Sequence, residues 1–409
     1  MTKRFANPFA PLHLNGTAAD ELERLARVFV QDHIGLYEQF LSEDNSRVDP
    51  QRWKLVNEQG ACRAYGERRG SIDDSSGSSG DDVPIHADTP RSELPTILVT
   101  GTVLGDLEDA VYGYICPTLD QMRVKTSYVN DQLIGAHVLT TIVPPSPEDP
   151  FRSVTVKWME KGQRMHVRAM LKNRDFVYME ATGVDYLRNG ERIGYQLIHS
   201  VQFLETPPLD QNIRGNMSMC ACYRQKDPFS TEVFIKGYLN PAGGLMRSIV
   251  LHSAAAALLS VAKNVYCAQM KKLVWTIRNR QRTIVDGSDT SDTCVTCKNS
   301  ANQSLNPLGK RRRRTCKICF RYVCKSCREV RKLCFMLPDH RLVEQKVYFC
   351  KPCLDEALSS KAQAIARDEI ITSDEVHEWS NTYGSSSGDE PILLDDLNDY
   401  KDLAIVKKL

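Results

Sequence analysis

The stretch CVTCKNSANQSLNPLGKRRRRTCKICFRYVCKSC, residues 294–327, contains three Cys-x-x-Cys pairs, and a fourth pair follows at Cys350 and Cys353. This spacing lets two thiolates of one tight turn reach a single metal ion, and tetrahedral zinc takes four such ligands. Four pairs therefore predict two structural zinc ions. The predicted ligands are Cys294, Cys297, Cys316, Cys319, Cys324, Cys327, Cys350 and Cys353. Disulfides are the alternative, but the chain opens without a secretory signal and has an intracellular length, so we expect metal-bound thiolates.

The gaps between the pairs indicate how the ligands are shared. Eighteen residues separate the first two pairs, four separate the second and third, and twenty-two separate the last two. A short central gap between two long ones favours a cross-braced finger, in which the first pair shares an ion with the third and the second with the fourth. Few large apolar side chains lie in this stretch, so we expect zinc to supply the folding energy of the finger, and loss of a ligand such as Cys316 to leave the melting of the first domain unaltered.

The basic run Lys310–Arg314 precedes the third cysteine. Here the sequence resembles the FYVE zinc-finger family, which carries R-(R/K)-H-H-C-R at that cysteine, followed by C-x-x-C-x4-C-x-x-C, as Cys316 to Cys327 do. The resemblance covers residues 294–353 and implies contact with a phosphoinositide headgroup and an apolar loop that inserts into the bilayer. The implied headgroup contacts are Arg311, Arg312, Arg313, Arg314 and Lys317, and the implied insertion residues are Leu305 and Leu308.

The finger also departs from the FYVE pattern. Arg314 and Thr315 stand where the family has two histidines, Phe320 replaces its usual glycine, and Tyr348 replaces the arginine before the seventh cysteine. Because arginine stays charged where histidine titrates, these changes predict membrane binding that depends on salt and not on pH. A RING-like finger of a ubiquitin ligase, or an adaptor that uses the finger for protein partners, is the alternative function.

Charge is distributed unevenly along the 409 residues, although the net charge is only +2. Residues 294–353 carry 15 Lys and Arg against 3 Asp and Glu, whereas residues 354–409 carry 5 against 13. The finger therefore predicts an anionic partner, and the acidic end predicts a protein partner. Nucleic acid is disfavoured as the partner because base stacking needs exposed aromatic side chains beside the basic run.

Residues before the finger indicate an α+β domain. An amphipathic helix is predicted at Ala18–Leu41, and residues 70–82, rich in Gly, Ser and Asp, predict a mobile loop. Apolar residues then recur with period two, which predicts serial antiparallel strands. These strands are 153–159, 165–171, 176–186, 193–203, 213–224 and 231–239.

A long apolar helix is predicted from Gly244 to Arg282, broken near Tyr266. Its longest apolar run, Ile249–Ala262, is too short to span a bilayer. With Arg174-Asp175-Phe176-Val177-Tyr178 opening a strand, and with strand Val233–Leu239 leading through Pro241 into this helix, residues 15–282 resemble a START lipid-transfer domain. The resemblance implies a helix-grip fold and a cavity for one hydrophobic lipid, gated by the last helix. A solid core without a ligand is the alternative.

The sequence contains no P-loop or H-E-x-x-H motif, and His166, His199 and His252 are isolated, so we predict no catalytic residues. The predicted fold is an α+β helix-grip domain followed by a cross-braced two-zinc finger. The predicted divisions are an arm at 1–14, the START-like domain at 15–282, the finger with its following helix at 288–367 and a disordered acidic tail at 368–409. We expect a cytoplasmic protein that is peripheral on endosomal membranes.

Overall fold

The structure is a computed structural model. It describes residues 5–69, 84–162, 172–283, 293–300, 314–337 and 339–383. The predicted mobile loop 70–82 and the predicted strand 165–171 lie outside the described residues.

Seven helices and fourteen strands occur in the described part of the chain. The helices are α1 (Gly16–Ser42), α2 (Leu107–Tyr114), α3 (Leu119–Val129), α4 (Arg247–Leu258), α5 (Asn264–Thr283), α6 (Lys351–Ser359) and α7 (Ala362–Tyr383), with 3₁₀ turns at Arg91–Glu93 and Leu259–Lys263. The strands are β1 (Trp53–Gln59), β2 (Cys62–Glu67), β3 (Pro84–Ile85), β4 (Thr96–Leu104), β5 (Leu133–Val143), β6 (Ser153–Lys161), β7 (Asn173–Tyr186), β8 (Arg192–Ser200), β9 (Asn212–Arg214), β10 (Asn216–Asp227), β11 (Ser230–Asn240), β12 (Leu245–Met246), β13 (Arg328–Met336) and β14 (Leu342–Cys350).

One large sheet forms the centre of the first domain. Its strand order is β1-β2-β4-β11-β10-β8-β7-β6-β5, every pairing along this path is antiparallel, and β9 adds a short parallel pairing to β7. Helix α1 packs on one face, and α4 follows β11 and packs on the other. This arrangement confirms the predicted α+β helix-grip fold with a long helix at its carboxyl end.

Helix α1 begins where the Asn15 side chain accepts a hydrogen bond from the Ala18 N–H at 2.8 Å. Its buried residues include Val30, Ile34 and Tyr37, one stripe at helical spacing, which packs on Phe234 and its neighbours in the sheet. We call this side of the sheet the outer face. The opposite side, covered by α2, α4 and α5, we call the inner face.

The long apolar helix predicted from Gly244 to Arg282, which we call the closing helix, is interrupted earlier than predicted. The 3₁₀ turn Leu259–Lys263 separates α4 from α5, whereas the sequence favoured a break near Tyr266. By length and composition alone, the segment Arg247–Arg280 could cross a membrane. Part of this segment is buried, where Ala254, Ala255, Leu259, Val265 and Ala268 join an apolar cluster with the sheet and α2.

Residues 5–14 of the predicted amino-terminal arm pack on the first domain. Leu12 is buried on the outer face, and the ring of Phe9 meets the edge of Trp158 with 6.0 Å between centroids. A helix and a strand were also missed, α3 and β5. A capping box between Thr118 and Gln121 starts α3 and was the available sequence signal.

The boundary predicted for the acidic tail, residues 368–409, is wrong. Helix α7 runs from Ala362 through Tyr383, and Ile365 and Ala366 are buried against the inner-face core. Glu369 lies within this helix, and the hydroxyl of Tyr112 on α2 donates a hydrogen bond to its carboxylate at 2.9 Å. Helix α7 therefore continues past Arg367, where the predicted helix ended.

The finger also packs against the first domain, a contact that the sequence did not predict. A single apolar cluster joins Met270, Leu273 and Ile277 of α5 to Leu333 and Phe349 of the finger hairpin β13–β14. The finger is therefore packed into the first domain.

Candidate metal centres and ligand-binding face

The first and second cysteine pairs each lie in a tight turn, which we call a knuckle, and the two knuckles have the same geometry. The Cys294 N–H donates to the Asn299 carbonyl at 2.9 Å, and the Cys316 N–H donates to the Arg321 carbonyl at the same distance. Each knuckle turns through a residue in the left-handed region, with φ of 61° at Lys298 and 59° at Phe320. Left-handed backbone right after a Cys-x-x-Cys pair folds the chain back, so that both sulfurs point to one centre.

The other two pairs come from the ends of the finger hairpin. Cys324 and Cys327 precede β13, Cys350 ends β14, and Cys353 lies in the first turn of α6, which carries Pro352 near its start. Proline is compatible with a first helical turn, where its missing N–H has no intrahelical role. The hairpin thus brings the third pair to the first and the fourth pair to the second.

The eight sulfurs form two groups. In each group the four sulfurs lie within 4.8 Å of one another, and the groups are Cys294, Cys297, Cys324 and Cys327, and Cys316, Cys319, Cys350 and Cys353. We call these the first and second tetrads. Their pairing is that of a cross-braced finger.

The spacing of the sulfurs fits zinc. Four thiolates at about 2.3 Å from a tetrahedral zinc ion lie about 3.8 Å apart. The Cys297 and Cys324 sulfurs are 3.8 Å apart, and the Cys319 and Cys350 sulfurs are 3.9 Å apart. A backbone N–H, that of Cys324, points to the Cys294 sulfur at 3.4 Å, as in the outer shell of thiolate sites. The donor set therefore suits two structural zinc ions.

Only part of the predicted headgroup site lies within the described residues. Arg311, Arg312, Arg313, Leu305 and Leu308 lie outside them. For these residues, headgroup contact and membrane insertion stay predictions.

Arg314 and Lys317 lie beside Tyr348 on β14. The Arg314 guanidinium stacks over the Tyr348 ring at 4.5 Å from its centroid, and the Lys317 N–H donates to the Tyr348 carbonyl at 2.9 Å. A second guanidinium, that of Arg328, stacks on the same ring at 5.0 Å. Sequence reasoning missed Arg328, because only the pairing of β13 with β14 brings it to Tyr348. We call Arg314, Lys317 and Arg328 the basic cluster.

The basic cluster has no carboxylate partner among the described residues. The three acidic residues of the finger are used elsewhere, since Glu329 pairs with Arg331, Glu344 with Lys332 and Asp339 with Arg341. The Arg314 and Arg328 guanidiniums stack on the same ring and repel each other, and an anion bound between them would relieve this repulsion. The cluster is thus electrostatically suited to an anion.

The inner face of the sheet holds a buried ion pair. The Lys157 ammonium pairs with the Glu180 carboxylate, and their side chains are 0% and 4% exposed. Lys157 also donates to the Cys116 carbonyl at 2.8 Å, and the Gln196 amide donates to Glu180 at 2.8 Å. Each group of the pair therefore has further hydrogen bonds within the protein.

Apolar side chains surround this pair. Glu180 is opposite Ile198 on β8, and Ile198 is opposite Met219 on β10. A small apolar cluster adjoins these positions, and its buried members are Met159, Phe176, Tyr178, Met217 and Met219. Ile198, Leu239 and Leu258 pack against it but are only partly buried. This is the face on which the START resemblance predicts a cavity, and that cavity stays a prediction.

We call the contact between the first domain and the finger with its following helices the seam. Two clefts lie at this seam and not at the inner face. One, of about 430 Å³, is lined by charged residues that include Arg192, Arg224 and Lys361. The other, of about 290 Å³, lies between Trp275 of α5 and Cys353 of the finger. The charged groups in the larger cleft are mostly paired, as Arg192 is with Glu108.

The histidines considered for catalysis do not assemble a site. His166 lies outside the described residues, and His252 is exposed on α4. His199 hydrogen-bonds the Ser218 hydroxyl at 2.9 Å, but Phe29 stacks on its imidazole at 4.3 Å and α1 covers both side chains. A serine closed off in this way cannot reach a substrate.

No protein-family model matches the chain, and no curated protein matches its sequence significantly. Solved structures do resemble it. Human STARD10 does so with a TM-score of 0.38 and 14% identity, over 60% of this chain and 84% of that one. Human StAR-related lipid transfer protein 5 has a TM-score of 0.36 and 16% identity, over 58% of this chain and 98% of its own. The lipid transfer and protein localization domain of human StarD13 has a TM-score of 0.35 and 12% identity, over 62% and 98%. At these values the likeness concerns the fold alone.

Proposed function

We propose that this chain is a non-enzymatic lipid-binding protein, cytoplasmic and peripheral on endosomal membranes. Its START-like domain holds one hydrophobic lipid against the inner face. Its FYVE-like finger, with two zinc ions, contacts an anionic membrane that contains phosphoinositide.

The observation that carries the lipid assignment is the mixed chemistry of the inner face. An ion pair as buried as Lys157–Glu180 adds little stability compared with apolar residues of the same size, so packing alone does not explain it. Ligand pockets combine a mostly apolar lining with a few placed polar groups. A lipid whose polar end meets Lys157 or Glu180, and whose apolar part lies along Met219 and Leu258, matches this combination. Methionine suits such a wall because its flexible side chain adapts to the ligand.

A substitution on the inner face tests the lipid assignment. Ile198→Trp adds bulk at a partly buried inner-face position, and we expect it to reduce lipid uptake while zinc content is kept. Delipidated wild-type protein is incubated with vesicles of mixed cellular lipids, repurified and extracted, and the lipid is counted by mass spectrometry. Leu204→Trp, at a 97% exposed position, is the matched control and should take up one lipid per chain, as the wild type does. Absence of extractable lipid from the wild type would contradict the assignment.

The membrane assignment is supported by the basic cluster. Arginine binds phosphate with two parallel hydrogen bonds, and Arg314 and Arg328 are held by stacking on Tyr348, so little side-chain freedom is lost on binding. Arg328 supplies a positive charge near the position where Tyr348 has replaced the family's arginine.

Co-sedimentation with vesicles tests this assignment. Arg314→Ala/Arg328→Ala should weaken binding to phosphatidylcholine vesicles that contain phosphatidylinositol 3-phosphate or phosphatidylserine. Arg27→Ala/Arg63→Ala, which removes two exposed arginines of the first domain, is the charge-matched control. Binding should fall steeply with added salt and change little between about pH 6 and 7.5, because arginine stays protonated throughout. Equal binding of the two double variants would remove the assignment to the basic cluster.

A further inference from the structure

The two tetrads differ in how deeply they are embedded. In the first tetrad only Cys294 is buried, and Cys297 is exposed. In the second tetrad three of the four ligands are buried, Cys316, Cys350 and Cys353. All three belong to the apolar cluster that includes Met270, Leu273 and Ile277 of α5, whereas Cys294 is the one buried ligand that the first tetrad contributes to it.

The second tetrad also adjoins α5 through its own knuckle and helix. Ile318, within the Cys316–Cys319 knuckle, is 3% exposed and faces Trp275 and Asn279 of α5 across the smaller cleft. Cys353 lies on α6, and α6 ends beside α5, where the Lys272 ammonium donates to the Leu358 carbonyl at 3.1 Å.

Lys272 on α5 contacts both α6, which follows the finger, and α2 of the first domain. Its side chain is 2% exposed and also forms an ion pair with Asp109 on α2. Breaking such a buried contact on one side leaves a charge without its full set of partners, which is costly. The position of α5 between α2 and α6 therefore depends on the finger.

Helix α5 continues the closing helix. Only the 3₁₀ turn Leu259–Lys263 separates it from α4, which covers the inner face. A 3₁₀ segment in the middle of a helix often marks a hinge. If α5 moves away from the finger, α4 is no longer held at its carboxyl end. A lipid bound on the inner face can then leave or enter.

We propose that the second tetrad, when it holds zinc, braces the closing helix and thereby sets how fast the bound lipid is released. The first tetrad supports the finger without bracing α5 directly. The finger then has a role inside the lipid-binding domain in addition to membrane contact. The part of this inference that concerns lipid release rests on the proposed function, whereas the bracing of α5 does not.

Hydrogen–deuterium exchange of the full chain tests the brace without any lipid. Ile318→Ser removes the seam contact and keeps all eight cysteines, and Val330→Ser, at a 41% exposed hairpin position, is the matched control. We expect Ile318→Ser to retain two zinc ions by native mass spectrometry and to exchange its α4 and α5 amides roughly tenfold faster. Val330→Ser should match the wild type. Unchanged α5 exchange in Ile318→Ser would overturn the proposal.

Two ligand variants test the asymmetry between the tetrads. Cys319→Ser should lose one zinc ion and accelerate exchange in α5, and Cys297→Ser should lose one zinc ion with a clearly smaller effect there. Equal acceleration in both variants would overturn the assignment of the brace to the second tetrad.

Release of a preloaded fluorescent lipid should follow the same order, fastest in Cys319→Ser and Ile318→Ser. If α5 exchange follows that order but no lipid loads onto any variant, the brace stands and the proposed lipid function fails. If lipid loads and is released equally fast from all variants, the link between the brace and release is overturned.

Discussion

At the residue scale, the two knuckles show strain that the fold tolerates. Lys298 and Phe320 both have positive φ, a conformation in which a side chain costs about 1–2 kcal/mol relative to glycine. The sequence already marked Phe320 as a departure, since the FYVE family has glycine there. The structure supplies the reason, because the turn after each cysteine pair requires left-handed backbone.

Phe320→Gly should therefore stabilise the zinc-loaded protein. Relief of the strain is offset in part by the greater freedom of glycine in the unfolded chain, which leaves a gain of about 1 kcal/mol. Guanidinium unfolding of the full chain with two zinc ions measures the change. Lys298→Gly, at the equivalent position of the other knuckle, should give a similar gain. A loss of stability in Phe320→Gly would show that contacts of its ring outweigh the strain.

At the element scale, the part of α7 that follows Arg367 was not predicted. Its acidic residues Asp368 and Glu369 favoured disorder, while the apolar residues Ile365 and Ala366 dock the helix on α2 and α5. The acidic composition reflects the side of the helix that faces solvent, so it gives no information on the side that packs against the protein. Helix α3 was missed for a similar reason. Asp120 and the other charged residues of α3 interrupt the apolar stripe by which a helix is recognised in the sequence.

The docking of α7 should depend on pH through Glu369. Burial raises the pKa of this carboxyl above its ordinary value, although Lys271, the Tyr112 hydrogen bond and Arg278 oppose the shift. Because the pKa is higher in the docked state than in the undocked one, docked α7 binds the proton more tightly. Docking is therefore strengthened as the pH falls through the raised pKa and weakened as the pH rises through it.

Amide exchange in α7 at pH 5.5 and 7.5, corrected for intrinsic rates, measures this dependence. We expect more protection at pH 5.5, and Glu369→Gln should remove most of the difference. Greater protection at pH 7.5 would contradict the assignment to Glu369.

At the scale of the whole molecule, some features could be predicted from the sequence and others could not. The pairing of the tetrads followed from the gaps between cysteine pairs, because knuckles are local structures. The strands of β7, β8, β10 and β11 followed from period-two patterning. The contact between α5 and the finger could not be predicted, because Leu273 and Ile277 would have the same spacing in a helix that packs only on its own domain. The inner-face ion pair was missed because Lys157 and Glu180 lie 23 residues apart on neighbouring strands.

Because the finger packs on α5 of the first domain, zinc held by the tetrads would stabilise both modules. Binding to the folded state only, as tetrad-bound zinc does, stabilises every element that unfolds together with the site. Chelation should therefore lower the thermal midpoint of the complete chain, including the part reported by Trp158 beneath the amino-terminal arm. A first domain that melts at an unchanged temperature after chelation would show that the modules are independent.

The most direct test of the account is native mass spectrometry of the full chain, purified without detergent. We predict a species with two zinc ions and one lipid, and acidification or chelation that removes the zinc should remove the lipid with it. A chain that carries two zinc ions but no lipid, even after incubation with a cellular lipid extract, or one that carries no zinc, would contradict it.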